Sequence, residues 1–162
     1  MNAHRTRSWR GRAMIAASAW SSMVVPILVD GVLFARAHMR NPFWLPHAKL
    51  HCAMSFHAAI ALGLAALLLL RGGERADRSS LTVAALCATA FWVGLVAAGL
   101  WPGTSYTFEG DPASYRPPPV VLGFEIDLNV ALAVIATLLG WTGWWLATRP
   151  VPTTSSVTGR SR

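Results

Sequence analysis

Apolar and polar residues fall into long blocks along this chain, without the short alternations of a soluble domain. Four apolar blocks, at about 14–35, 50–70, 81–100 and 122–147, each approach or exceed the roughly 18–20 residues that carry a helix across a bilayer. They occupy more than half of the chain and leave only short links. The pattern predicts an all-α membrane protein with a four-transmembrane-helix bundle at 13–148. A basic tail at 1–12 and a polar, disordered tail at 149–162 are expected to flank it. No internal repeat or heptad pattern is present.

Composition agrees with this reading. Of 162 residues, 54% are hydrophobic and 13% charged, where a soluble domain carries about 25% charged residues. The net charge of +7 could suggest nucleic acid, but its placement excludes that partner. Arg5, Arg7, Arg10 and Arg12 precede the first block, Arg71, Arg75 and Arg78 separate the second and third, and Arg149, Arg160 and Arg162 follow the fourth. The remaining links hold only Arg36, Arg40, Lys49 and Arg116. Basic links stay on the untranslocated side, so both termini are expected to be cytoplasmic in a multi-pass plasma-membrane protein whose first partner is the lipid bilayer. Ala35-Arg36-Ala37 has the small-x-small form of a signal cleavage site. The apolar core before it far exceeds the usual 7–15 residues and contains Pro26 and Asp30, so an uncleaved helix is expected. Cys52 and Cys87 should lie at different depths, too far apart for a disulfide.

Polar residues inside the blocks carry the candidate chemistry. Pro26 should kink the first helix and free the carbonyl of Ser22. Asp30 follows one turn later and should face the bundle, since an intramembrane carboxylate is costly in lipid. A stiff aromatic link, Asn41-Pro42-Phe43-Trp44-Leu45-Pro46, leads to His47 and His51, about 40° apart on one helical face. His57 lies away from them and reads as a buried packing or hydrogen-bonding histidine. The third helix offers only a small-residue stripe, Ala90-Gly94-Ala98, suited to close helix packing or a homo-oligomer contact. A long link after Trp101-Pro102 contains Tyr106, Glu109, Asp111, Tyr115, Arg116 and Pro117-Pro118-Pro119, and reads as a cap or a solvated linker. Glu125, Asp127 and Asn129 open the fourth block, with Glu125 and Asn129 sharing a face and Asp127 opposite. Trp141, Trp144 and Trp145 at its far end read as an aromatic belt.

With both termini inside, Asp30, His47, His51, Glu125, Asp127 and Asn129 all fall in the outer half of the membrane, while the inner halves are apolar. Three uses fit such a cluster. One is acid–base catalysis, of isomerase or cyclase type, on a lipophilic small molecule, with Asp30, His47, His51, Glu125 and Asp127 as catalytic candidates and no cofactor. Another is a metal-dependent enzyme in which His47, His51 and Asp127 hold a divalent ion. The third is a structural or partner subunit whose polar cluster holds the bundle in register.

The segment Asn41-Pro42-x-Trp44-x-Pro46-His47-Ala48-Lys49-x-His51, preceded by Asp30 and His38, resembles a family of small four-helix integral membrane proteins of fungi and bacteria. These carry an N-P-x-W-x-P-H-A-[KR]-x-H signature. Trp101-Pro102-Gly103 and Ile126-Asp127 also look similar, and the likeness runs from about Asp30 to Trp145. It implies the four-helix fold and directs attention to His38, His47, His51 and Asp127, without an activity. His38, Trp44, Trp101 and Asn129 are the candidates for substrate binding.

Overall fold

The computed structural model describes residues 3–72, 76–106, 120–121, 123–125 and 127–149. The polar tail after Arg149, most of the long link after Tyr106 and the side chain of Glu125 lie outside the described residues. Helix α1 (Ala3–Pro26) begins within the basic segment and continues directly into a π-helical segment (Ile27–Leu33). Pro26 has no N–H to give the carbonyl of Ser22. Beyond it the chain widens to i→i+5 bonding, with the Phe34 N–H donating to Val29 O at 2.7 Å. The kink expected at Pro26 thus takes the form of a wider helix that carries Asp30.

Helix α2 (Pro46–Leu70) starts one turn before its apolar block, because Pro46 sits in the first turn, where a missing N–H costs nothing. Helix α3 (Arg78–Ala98) is capped by Asp77, which accepts from the Ser80 amide at 2.8 Å. Hydrogen bonds from the Ser80 side chain and backbone hold the Asp77 carboxyl below its ordinary range. This cap is therefore complete above the usual carboxylate pKa and weakens as pH falls through the lowered one. Helix α4 (Leu128–Thr148) begins six residues later than the apolar block suggests. Strands β1 (Val120–Val121) and β2 (Phe124–Glu125) pair antiparallel before it, and Gly123 turns between them at φ +83°, a conformation that favours glycine. Glu125 therefore belongs to a strand and does not share a helical face with Asn129.

All four spans, Trp9–Leu33, Pro46–Leu70, Arg78–Ala98 and Leu128–Thr148, are long and apolar enough to cross a membrane. This is the composition of a multi-pass membrane protein. Neighbours in the bundle run α1–α2–α3–α4 and back to α1, with α1 also touching α3. The core is built from small residues: Ala19, Ala66, Ala84, Ala85 and Ala88 with Ile15, and Ala133 and Ala136 around Trp92. Helices can approach closely on such faces. The approach is tightest where Gly11 of α1 crosses Gly143 of α4, with each facing the other's backbone. The Ala90-Gly94-Ala98 stripe instead lies exposed on the outer surface of α3, with nothing near a β-carbon placed at Gly94.

Buried hydroxyls tie the helices. Ser18 Oγ donates to Ala136 O at 2.9 Å, and Trp92 Nε1 donates to Ser21 Oγ at 3.1 Å. At the opposite end of α3, Trp144 Nε1 donates to Thr82 Oγ1 at 2.9 Å, Arg78 stacks over Trp144, and Arg12 donates to the carbonyl of Leu70. Trp144 is thus a helix-to-helix tie. Both cysteines are free.

Candidate functional site

The π-helical turn sends Asp30 towards the link that follows it, where the chain folds back in a series of turns. Asn41 is the pivot of that link and is buried. Its Nδ2 donates to Ala37 O at 3.0 Å, and its Oδ1 accepts from the Phe43 N–H at 2.9 Å. The Asn-Pro pair of the signature is therefore a side-chain-locked turn that places Trp44. Asn41→Ala should strand a buried carbonyl and an amide, a loss of about 1–3 kcal/mol for each left unpaired. A lowered unfolding midpoint in detergent is the expected result.

This fold-back brings His38 to Asp30. His38 Nδ1 lies 3.2 Å from Phe34 O, and since a carbonyl only accepts, Nδ1 carries the hydrogen. His38 Nε2 then faces Asp30 Oδ1 at 3.4 Å. Two acceptors cannot face each other, so one proton belongs to this contact, on the imidazole or on the carboxyl. Trp44 stacks edge-on against His38, with centroids 5.6 Å apart. Both polar side chains are largely covered, at 14% exposure for His38 and 27% for Asp30.

The pair lines a cavity of about 400 Å³. Its walls come from α1, the π-helical segment, the following link, α3, the residues after α3, and α4, with Pro26, Trp44, Trp92, Tyr106 and Asn129 prominent. Tyr106 is held there because its Oη donates to Val96 O at 2.8 Å, a carbonyl near the end of α3 that also accepts from the Gly99 amide at 3.2 Å. The cavity is thus an aromatic-walled chamber with a proton-sharing pair in its lining.

Of the sequence candidates, Asp30, His38, Trp44 and Asn129 meet at this cavity. His47 and His51 do not line it. They lie exposed on α2, Nε2 to Nε2 at 2.9 Å. The inward face of α2 is fixed by buried Ala59, Gly63 and Ala66, and His47 and His51 fall roughly 80–160° away from Ala59 and Gly63 on the helical wheel. Asp127 caps α4, its Oδ1 accepting from the amides of Asn129 and Val130 at 2.8 and 3.2 Å. Trp101 is exposed and outside the lining. His57 is also exposed, and its ring hydrogen-bonds to the carbonyl of Ala53. Among the described residues no three His, Cys, Asp or Glu side chains gather as a metal cluster, so the trio His47, His51 and Asp127 does not assemble.

The cap makes a separable prediction. Asparagine caps helices as well as aspartate, whereas alanine costs about 0.5–2 kcal/mol. Asp127→Ala should therefore lower the unfolding midpoint, and Asp127→Asn should leave it in place.

Sequence reasoning missed Asn41, Trp92 and Tyr106. Asn41 had a signal in the Asn-Pro dipeptide, which favours side-chain-closed turns. Trp92 and Tyr106 had none beyond their residue type.

Fold and site together define a four-helix, membrane-type bundle with a polar, aromatic-walled chamber at one end. Compared with known protein families, curated proteins and solved structures, the chain matches none.

Proposed function

We propose that this protein is a membrane enzyme whose Asp30–His38 pair passes a proton to and from a lipophilic small molecule held in the cavity. The observation that carries this reading is the 3.4 Å contact between His38 Nε2 and Asp30 Oδ1 in the cavity wall. The Phe34 carbonyl fixes the imidazole tautomer, as expected of a histidine used for proton transfer. The cavity volume falls in the range of about 300–1,000 Å³ found for small-molecule sites. Its aromatic walls suit an apolar substrate.

In an isomerase- or cyclase-type cycle, protonated Asp30 gives its proton to an alkene, epoxide or carbonyl. The resulting cation loses a proton from a neighbouring carbon to His38 Nε2. The imidazolium then returns that proton to the Asp30 carboxylate. The cycle is redox-neutral and leaves the pair as it began. Asn129 and Trp44 bind and orient the substrate beside it.

The arginine distribution supports an outward-facing chamber and cytoplasmic termini; residence in the plasma membrane is part of the same proposal. The resemblance drawn from the Asn41–His51 signature supports attention to the same segment, including His38. A purely structural role fits less well. Asp30 and His38 are eight residues apart on consecutive segments, so their contact does not tie one span to another.

The test is deuterium incorporation. Protein in lipid vesicles would be incubated in D2O with a total lipid extract, and the lipophilic fraction read by mass spectrometry. The expected result is a species that gains carbon-bound deuterium with the native chain and fails to gain it with the Asp30→Asn/His38→Gln double variant. Equal labelling by both proteins would overturn the proposal.

A further inference from the structure

We propose a second, independent site: His47 and His51 form a two-imidazole chelate for a divalent transition-metal ion of tetragonal preference, Cu2+ foremost, on the exposed face of α2.

The geometry is specific. The two rings stand edge to face with centroids 4.4 Å apart and planes at 89°, and their Nε2 atoms are 2.9 Å apart. An N–H on both would put two hydrogens in one gap, so one Nε2 donates and the other accepts. Metal binding needs both Nε2 lone pairs. The donor ring supplies the second by moving its proton from Nε2 to Nδ1, with no net proton released.

The nitrogen separation is compatible with adjacent positions on a tetragonal ion. With metal–nitrogen bonds of about 2.0–2.1 Å, nitrogens 2.9 Å apart subtend about 90° at the metal, the angle of adjacent positions in square-planar or tetragonal coordination. A tetrahedral ion would need them about 3.3 Å apart. This spacing fits Cu2+ or Ni2+, and Cu2+ leads the general affinity order, ahead of Zn2+. Both histidines are exposed, and the open coordination positions face outward, where water or a small anionic ligand completes the shell. Pro46 in the first turn of α2 and the Asn41 lock of the preceding link hold the start of this helix in place. Neither histidine lines the Asp30–His38 cavity, so this site stands or falls separately from the proposed enzymatic one.

The experiment titrates Cu2+ into the full-length protein in detergent micelles. A His4→Ala background removes a histidine close to the terminal amine. Affinity is read by competition with a chelator, and ligands by electron paramagnetic resonance. One Cu2+ per chain with coupling to two imidazole nitrogens is expected, with Zn2+ weaker. His47→Ala and His51→Ala should each weaken binding at least about tenfold, since even outer-shell partners of a metal site are worth 10–100-fold. His57→Ala, which removes another exposed imidazole of α2, should leave affinity unchanged. Copper affinity that survives both single substitutions, or zinc binding more tightly than copper, would overturn the proposal.

Discussion

Asp30→Asn is expected to slow deuterium incorporation by about 10²–10⁴-fold, the usual contribution of a positioned general acid or base. His38→Gln should slow it by a similar factor, and the double variant should be no slower than either single one. The reason is the shared proton. Asp30 and His38 act across one 3.4 Å contact, so removing either ends the relay, and groups that work as a unit are strongly non-additive. Two residues that merely packed beside a substrate would instead contribute separately, and their losses would multiply. Initial rates of label uptake for the four proteins settle the matter. Multiplicative losses would count against the relay.

The largest expected effect on stability is at the α1–α4 crossing. Gly143→Val should lower the unfolding free energy by about 3 kcal/mol or more, the upper end for overpacking. A β-carbon at Gly143 would come within 3 Å of the Gly11 carbonyl oxygen, the Ile15 amide nitrogen and the Met14 β-carbon. Two of those atoms are backbone and cannot turn aside as a side chain could, so relief requires the helices to part. Parting them would also loosen the Ser18–Ala136 bond and the alanine layers behind it. Gly94→Val is the internal control, because a β-carbon at this exposed position meets nothing within 4 Å. Unfolding in mixed detergent should separate the two variants clearly. If Gly94→Val proved as damaging, the stripe around it would be in contact with another molecule.

The spans were legible because an apolar block of that length has few other solutions in lipid. Their ends were less legible where a local device overrode hydropathy. Pro46 started α2 early, and the β1–β2 turn at Gly123 delayed α4. The acid was also legible, since an aspartate after a helix proline in an apolar run is costly unless it is used. The partner was harder to find. Helix α2 is apolar nearly all the way round, so no amphipathic stripe showed which way His47 and His51 point. The buried Ala59, Gly63 and Ala66 face turns them outward, and only packing against α1 and α3 selects that face. His38 lies in an irregular link, where periodicity offers no orientation. The resemblance singled it out, and the turns locked by Asn41 bring it to Asp30. Trp92 reached the cavity through helix-to-helix packing, and Tyr106 by folding back onto the end of α3, neither of which periodicity encodes.

The widened turn after Pro26 has a consequence for how this protein could change over time. An i→i+5 turn takes about one residue more than an ordinary one, as if a single amino acid had been slipped into the span. Removing one residue between Pro26 and Phe34 would let the ordinary pitch return and swing the carboxylate off the chamber, with no change to the acid itself. The aim of the acid is therefore stored in the length of the chain, and the loss of one codon ahead of Asp30 is expected to turn its carboxylate away from the chamber.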